Sequence, residues 1–266
     1  IFDNNDRPGI LLSSAIKKYA DLFGVACGEK NILLTNNDSV YETAISLTQK
    51  GINVKAIIDN REEVDSKLAY EVEKNNIKIY KGFTVVNTSG YRRINKLSIM
   101  KLSKDGQKVV GSKINLSCDC LGISGGWTPA VHLFTQSGGK LKFREKDQVF
   151  IPKMYPSDQI SIGSCNGDLS LEDILINVAK TLKEFLNIKK TEYEDIEVLS
   201  SENRSKRNIW LLPSDKVLGK TKSFVDYQND ATAKDIKLAL REGFKSIEHV
   251  KRYTTTGMGT DQGKLG

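Results

Sequence analysis

The first regular pattern in the chain is helical. Apolar residues between Leu11 and Phe23 recur three or four positions apart, which is typical of one face of an amphipathic helix. Ser13 or Ser14 is a suitable first residue, and Gly24 is well placed to end the helix. We therefore predict a helix over this segment.

A strand–helix–strand–helix–strand pattern follows. Ile32–Leu34 is a short, continuously apolar run, and Val54–Ile58 is apolar apart from Lys55. Such runs favour parallel strands that are covered on both faces. Amphipathic segments at 38–50 and 62–75 predict the intervening helices, and 77–80 predicts the third strand. This order indicates an α/β domain.

From residue 84 the hydrophobic period changes to two, which indicates an antiparallel meander. Its strands are predicted at 84–88, 94–102 and 109–116. Beyond a glycine turn at 122–126, a short strand is predicted at Ile160–Ser164 and a long helix at Leu171–Leu186.

Residues 190–222 are charged and irregular, and they predict a linker or a strap over the surface. Within them, Trp210–Leu212 is predicted to be an anchoring patch.

Composition places the chain among ordinary globular proteins. Its 266 residues are 39% hydrophobic and 27% charged. No apolar run approaches the roughly 18 residues that span a bilayer, and the polar first residues do not form a signal peptide. We therefore expect no membrane partner and a cytoplasmic location. Because the chain does not begin with Met, we expect a fragment of a longer protein.

The net charge of +7 raises the question of whether the chain binds nucleic acid. The 40 basic and 33 acidic residues are interspersed, and the aromatic residues do not cluster with lysines as a stacking platform would require. We expect a solvated surface and no nucleic-acid partner.

Four cysteines are present: Cys27, Cys118, Cys120 and Cys165. Cys118 and Cys120 lie in the strand-like run 114–123, where alternate residues share one face. A disulfide between them would need unusual geometry, and no second pair completes a zinc site. We expect buried thiols.

The last 43 residues resemble a two-helix iron–sulfur module of the bacterioferritin-associated ferredoxin type. That module has a C-x-C motif, a Thr-capped helix, an REG turn, a second helix and a glycine loop with two more cysteines. In this chain the positions of its thiolates are held by Asp226, Gln228, Asp261 and Gly266. Since a two-iron cluster needs about four Cys or His ligands, we expect no iron–sulfur cluster.

The cysteine-free motifs VDYQND and EHVKRYTTTGMGTDQGK closely resemble one family, the alpha subunits of heterotetrameric sarcosine oxidase. The segment 124–143 is also very similar to its counterpart there. Between Arg7 and Leu182 the order of elements resembles thioredoxin-reductase-like flavoproteins. The implied fold is α/β: a thioredoxin-reductase-like dinucleotide-binding (Rossmann) domain with an inserted second domain, followed by a small helical hairpin domain.

The resemblance implies five segments. They are a partial first FAD/NAD-type domain (1–27), an inserted NAD(P)-type domain with a meander (28–120), a return to the first domain (121–189), a linker (190–222) and the hairpin module (223–266).

The inserted domain has lost its glycine fingerprint. Where the flavoproteins have G-x-G-x-x-G or A, this chain has Thr35–Val40, without glycine and with the negative Asp38. Each missing glycine places a Cβ where a pyrophosphate would lie. Asp59 stands at the position of the ribose-binding acid. We favour a helix N-cap for the turn and a leftover polar cap for Asp59, with a retained dinucleotide site as the alternative.

The return to the first domain carries the second candidate site. The flavoproteins have Gly-Asp here, and this chain has Gly163-Ser164. The resemblance implies NAD bound without hydride chemistry in the former FAD site, with contacts at Ser164, Leu169 and Leu171. The alternative is that the two leucines only pack the helix.

No set of catalytic side chains can be assembled, and the chain has only two histidines, His132 and His249. The resemblance implies FMN between the alpha and beta subunits, where Trp127 and His132 would face it. We favour the alternative that Trp127 is a core residue and His132 a hydrogen-bonded supporting residue.

The resemblance further implies the reaction of the whole enzyme. Sarcosine is demethylated to glycine on FAD in the beta subunit, FMN passes electrons to oxygen to give hydrogen peroxide, and the one-carbon unit forms methylenetetrahydrofolate on a domain beyond Gly266. The beta, gamma and delta subunits are the implied partners. Two alternatives stay open: the A subunit of an opine oxidase or hydrogen cyanide synthase, and a non-catalytic docking module.

Overall fold

The computed structural model describes residues 1–155, 159–187, 208–218 and 220–263. They form two compact units. The larger comprises Ile1–Gly125 and Ile209–Gly266, and the smaller Gly126–Asn208. The finer division into five segments stays a prediction.

The larger unit is built on a parallel sheet. Its strands are β1 (Ile10–Leu12), β2 (Asn31–Thr35), β3 (Val54–Asp59), β4 (Lys78–Lys81) and β8 (Cys120–Ser124). They lie in the order β1-β8-β2-β3-β4, and every pair is parallel. The apolar runs within β2 and β3 thus form parallel strands, as predicted.

Three helices cover one face of this sheet: α1 (Ser13–Phe23), α2 (Ser39–Gln49) and α3 (Lys67–Lys74). The predicted helix end at Gly24 is confirmed, since Gly24 adopts a positive φ of 63°. Helix α3 begins later than predicted. The carbonyl of Arg61 accepts a hydrogen bond from Gly82, and Ser66 is still extended.

The antiparallel meander covers the opposite face. Its strands β5 (Phe83–Ser89), β6 (Lys96–Leu102) and β7 (Val109–Ser117) confirm the period-two prediction. Successive residues of β2 point to opposite sides, so that Leu33 joins the core under the helices and Leu34 the core under the meander. The sheet is therefore buried on both faces.

The expectation that Cys118 and Cys120 lie in one strand is wrong. Strand β7 ends at Ser117 and β8 begins at Cys120, so the two thiols do not lie in a single strand. Cys118 packs in the core under the meander, and Cys120 in the core under the helices. Both are free and buried, as predicted, and burial raises the pKa of each thiol to about 12. They are therefore protonated, unreactive core residues.

The C-terminal module completes the larger unit. It consists of β11 (Phe224–Asp226), β12 (Ala231–Thr232), α6 (Ala233–Arg241) and α7 (Ile247–Thr254). Thr232 and Asp235 form a capping box at the start of α6, which confirms the predicted Thr-capped helix.

The smaller unit contains α4 (His132–Gln136), an antiparallel hairpin of β9 (Lys140–Arg144) and β10 (Val149–Met154), and α5 (Leu171–Phe185). Helix α5 confirms the sequence prediction, whereas the hairpin was not predicted. The predicted strand at Ile160–Ser164 is wrong. A 3-10 turn occupies Gly163–Asn166, and Gly163 has a φ of 75°, which is incompatible with an extended strand.

Residues 190–207 and 219 of the predicted linker lie outside the described residues. In the predicted anchoring patch, Leu212 is buried against the core under the meander, whereas Trp210 is exposed. Within the described ranges, none of the helices combines the length and apolar character needed to cross a bilayer.

Candidate functional site

The carboxyl ends of β2 and β3 form the edge of the sheet where open α/β folds bind their ligands. Thr35 and Asp59 are register partners at this edge. The turn that leads into α2 therefore lies beside the end of β3. This places the lost glycine fingerprint next to the predicted ribose position, as in a dinucleotide site.

A buried ion network occupies this edge. The Arg61 Nη2 lies 2.7 Å from Asp38 Oδ1 and 2.7 Å from Asp59 Oδ2. Arg61 Nε also donates to Asp59 Oδ1 over 3.1 Å, so the pair with Asp59 is bidentate. The three side chains are only 7%, 2% and 0% exposed for Arg61, Asp38 and Asp59.

Tyr41 anchors the network from the helix side. Its hydroxyl donates to Asp59 Oδ2 over 2.6 Å. Burial and the neighbouring charge of Asp59 raise the pKa of Tyr41, so the phenol stays a donor. Burial alone would lower the pKa of Arg61, but its hydrogen bonds and proximity to Asp59 raise it above the usual range. Arg61 is therefore a permanent cation.

The turn itself caps helix α2. The Asn37 side-chain oxygen accepts hydrogen bonds from the Ser39 N–H over 3.1 Å and the Ser39 hydroxyl over 2.7 Å. The N–H of Asn37 donates in turn to Thr35 Oγ1 over 3.0 Å. The favoured N-cap interpretation is therefore correct, with Asn37 as the acceptor.

A pyrophosphate does not fit these residues. The carboxylate of Asp38 lies at the start of α2, where a phosphate would bind. Asp59 was interpreted as a leftover polar cap, but it is the centre of the buried network. Neither Arg61 nor Tyr41 was predicted to be a site residue. The Asp-Asn-Arg sequence at the end of a buried strand was the available signal for Arg61.

Asp226 joins the two loops that resemble the cluster-binding loops of an iron–sulfur module. This carboxylate is buried, and it accepts from the N–H groups of Gln228 (2.8 Å), Asn229 (3.2 Å) and Gly257 (2.8 Å) and from the Asn229 side-chain amide (3.1 Å). Hydrogen bonds from the Asn229 side chain and the Gly257 N–H are the main causes that lower its pKa to about 2. Asp226 is thus a fully ionised cross-link.

The neighbouring positions also bind protein groups. Gln228 Oε1 accepts from Thr260 Oγ1 over 3.1 Å, and Asp261 Oδ1 accepts from the Gly263 N–H over 3.3 Å. A Cβ at Gly259 would lie 2.2 Å from Gln228 Oε1, so a larger residue there would displace the Gln228 side chain. Gly266 lies outside the described residues. Carboxylate and amide oxygens here do not fit iron–sulfur ligation, which uses thiolates.

The first residues of the chain form hydrogen bonds that attach this module to the rest of the larger unit. Asn5 makes a reciprocal pair with Phe224, donating to its carbonyl over 2.9 Å and accepting its N–H over 2.8 Å. Asp3 accepts from the hydroxyls of Ser214 (2.6 Å) and Ser223 (2.8 Å). These contacts join residues more than 200 positions apart, and no local sequence pattern predicts them.

The predicted NAD contacts lie around the start of α5, in the smaller unit. Ser164 is exposed in the 3-10 turn, Leu169 is partly buried, and Leu171 is the exposed first residue of α5. The Ser170 hydroxyl caps the helix by accepting from the Asp173 N–H over 3.0 Å. The start of α5 is acidic, with Glu172 and Asp173 in its first turn. Such carboxylates favour sugar hydroxyls over phosphate oxygens. The NAD contacts stay a prediction.

Trp127 and His132 belong to the smaller unit. Trp127 is 50% exposed, so its interpretation as a core residue is wrong. It precedes α4 in a segment without regular structure, where residues 125–128 are all exposed. His132 is the exposed first residue of α4. A contact of either residue with flavin stays a prediction.

The architecture defines the class of protein, an α/β fold shared with FAD- and NAD(P)-binding oxidoreductases of the thioredoxin-reductase type. The L-proline dehydrogenase from P. horikoshii is 19% identical and aligns over 98% of this chain and 47% of its own, with a TM-score of 0.57. The T. acidophilum thioredoxin reductase is 16% identical over 70% of this chain and 60% of its own, with a TM-score of 0.53. The predicted fold class is confirmed.

Sequence comparison shows which proteins of this fold the chain is similar to. Residues 220–266 match the sarcosine oxidase A3 domain family. The chain is 33% identical to the sarcosine oxidase subunit alpha of Corynebacterium sp. (strain U-96), covering 99% of this chain and 28% of the relative. It is thus a homologue of sarcosine oxidase alpha subunits, as the sequence motifs predicted. It spans little more than a quarter of the length of that relative.

Proposed function

We propose that the chain is a segment of a sarcosine oxidase alpha subunit. The complete enzyme oxidatively demethylates sarcosine to glycine and forms hydrogen peroxide and methylenetetrahydrofolate. The observation that carries this proposal is the similarity to an alpha subunit over 99% of the chain. The match of residues 220–266 to the A3 domain supports it independently.

The role proposed for this segment is that of a scaffold. Its conspicuous buried carboxylates, Asp59 and Asp226, are held in hydrogen-bond networks, and this engagement leaves them no role as acids or bases. In flavin enzymes the cofactor carries out the redox chemistry, while the protein binds and orients it. The proposed cofactors are FAD in the beta subunit, FMN at the junction with the beta subunit, and NAD without a redox role.

NAD is proposed to bind at the start of α5. The exposed hydroxyl of Ser164 offers one donor and acceptor, and Leu169 and Leu171 offer apolar surface. The carboxylates of Glu172 and Asp173 are suited to ribose hydroxyls. Ser164 would hold and orient the nucleotide and would not react with it.

The proposed partners are the beta, gamma and delta subunits, with tetrahydrofolate on a domain outside this chain. Trp127 and His132 are exposed and so accessible to the FMN-binding junction. Their proposed task is to contact the flavin and limit water around it.

The activity is tested on the native complex that contains this chain. Oxygen uptake and hydrogen peroxide would be measured with sarcosine, L-proline and an opine as competing substrates, together with flavin, iron and labile sulfide. We expect sarcosine to be the preferred substrate and iron to stay at background. Preference for an opine, with stoichiometric iron and sulfide, would favour the related opine oxidases. Recovery of no flavoprotein would favour a docking module.

The NAD site is tested with Ser164→Ala in the same complex. Loss of one hydrogen bond of about 1 kcal/mol should raise the NAD dissociation constant about five-fold. Ser112→Ala, at an exposed position of β7, is the matched control and should leave it unchanged. Equal NAD affinity in both variants would show that Ser164 does not contact NAD.

A further inference from the structure

Two positions of the inserted domain correspond to those that meet the phosphates and the ribose in a dinucleotide fold. Asp38 lies at the start of α2, and Asp59 ends β3. Both carboxylates contact one guanidinium, that of Arg61, at 2.7 Å. The two halves of a nucleotide site are therefore connected to each other by protein groups.

We propose that the Asp38 carboxylate takes the place of a ligand phosphate, and that its ion pair with Arg61 closes the nucleotide edge of the inserted domain from within. The charged groups at this edge thus pair with one another, and no ligand is needed to pair with Arg61. This proposal does not depend on the sarcosine oxidase activity.

The position of Asp38 resembles that of a bound anion. The start of a helix attracts negative charge because its N–H groups and dipole point toward it. Arg61 adds the cation that commonly binds phosphate in such sites. Asp38 lies at the start of α2. Its carboxylate is 2% exposed and pairs with Arg61 over 2.7 Å.

Arg61 does not need Asp38 to stay in place. Its bidentate pair with Asp59 fixes the guanidinium, and the Tyr41 hydroxyl fixes Asp59. The N–H of Arg61 also donates to Asp59 Oδ1 over 2.8 Å. Removal of the Asp38 carboxylate should therefore leave a positioned cation beside the start of α2, which is a site for a phosphate group.

The test follows ADP binding to the full 266-residue chain, labelled with nitrogen-15, through the amide signals of Ser39, Val40 and Arg61. Asp38→Gly removes the carboxylate and the Cβ, and Asp38→Asn removes the charge but keeps the shape. Glu42→Gln is the control, since it makes the same charge change on an exposed position of the same helix.

We expect no saturable shift of these amides with millimolar ADP in the unmodified chain or in Glu42→Gln. At least one Asp38 variant should bind ADP about ten-fold or more tightly than the unmodified chain, with these amides shifting together. Shifts confined to Ser164 and its neighbours in both Asp38 variants would contradict the proposal, because they would report only the separate site at α5.

Saturable shifts of Ser39 and Arg61 in the unmodified chain would overturn the proposal. So would the absence of binding in both folded Asp38 variants, because Asp38 would then not be the group that excludes the ligand. Loss of the native fold in both variants would also contradict it, since the proposal requires Asp59 and Tyr41 to hold Arg61 without Asp38.

Discussion

The backbone N–H of Gly257 donates to the Asp226 carboxylate over 2.8 Å, and this bond joins two loops 31 residues apart. In an iron–sulfur module of this type, the corresponding loops would be joined through the cluster. Here one carboxylate with four N–H donors makes the connection. The fold of the module can therefore persist without a metal, because the cross-link is supplied by the chain itself.

Asp226→Asn should destabilise the C-terminal module. The amide keeps one oxygen and turns an NH2 group toward N–H donors, which leaves buried donors unpaired at a cost of about 1–3 kcal/mol. Chemical denaturation measures the loss. The control is Asp230→Asn, at an exposed position with a φ of 54° that Asn adopts as readily as Asp. Equal stability of the two variants would contradict the cross-link.

The same carboxylate should make stability depend on acid pH. Its pKa of about 2 in the folded state is below its ordinary value of 3.8. The stabilisation is therefore complete above about pH 4 and is lost as the pH falls through the folded pKa. The difference in unfolding free energy between the unmodified chain and Asp226→Asn should shrink between about pH 4 and pH 2. A difference independent of pH would show that the charge is not responsible.

Asn5→Ala should loosen the attachment of the C-terminal module. Both backbone groups of Phe224 lose their buried partner, at a cost of at least about 2 kcal/mol. Hydrogen exchange of the Phe224 amide should accelerate accordingly. Asn53→Ala serves as the control, because its exposed side chain makes one long bond of 3.4 Å. Unchanged exchange at Phe224 in Asn5→Ala would mean that other contacts hold the module.

Tyr41→Phe should weaken the buried ion network without disrupting packing. The hydroxyl that is lost donates to a charged acceptor over 2.6 Å, and such bonds contribute about 1.5–3 kcal/mol. Tyr70→Phe, at an exposed ring, should change stability by less than about 0.5 kcal/mol. Thermal and chemical unfolding of the two variants provide the comparison. A loss no larger than that of Tyr70→Phe would contradict the network's contribution.

The parallel sheet could be predicted because its strands carry their signal locally. Ile32–Leu34 is apolar and buried at every position. Val54–Ile58 is apolar and buried except at the exposed Lys55. The meander was likewise visible as a period of two. Each pattern can be seen within its own segment, because it reflects which side chains of that segment are buried and not which strand it pairs with.

The candidate site was harder to predict from the sequence, because its contacts depend on the register of paired strands. Asp38 and Arg61 meet only because β2 and β3 pair with Thr35 opposite Asp59. Cys118 and Cys120 separate onto two faces because the chain leaves one sheet and enters another between them. Gly163 has a positive φ that turns an apparent strand into a 3-10 turn. None of these features follows from a local pattern.

The pairing of Asn5 with Phe224 spans 219 positions. Contacts of such range are slow to form, because a long loop must close before they contribute. On the ribosome, Asn5 is made before Phe224 and lacks this partner until Phe224 has emerged. The larger unit therefore cannot reach its final state while the intervening residues are being synthesised.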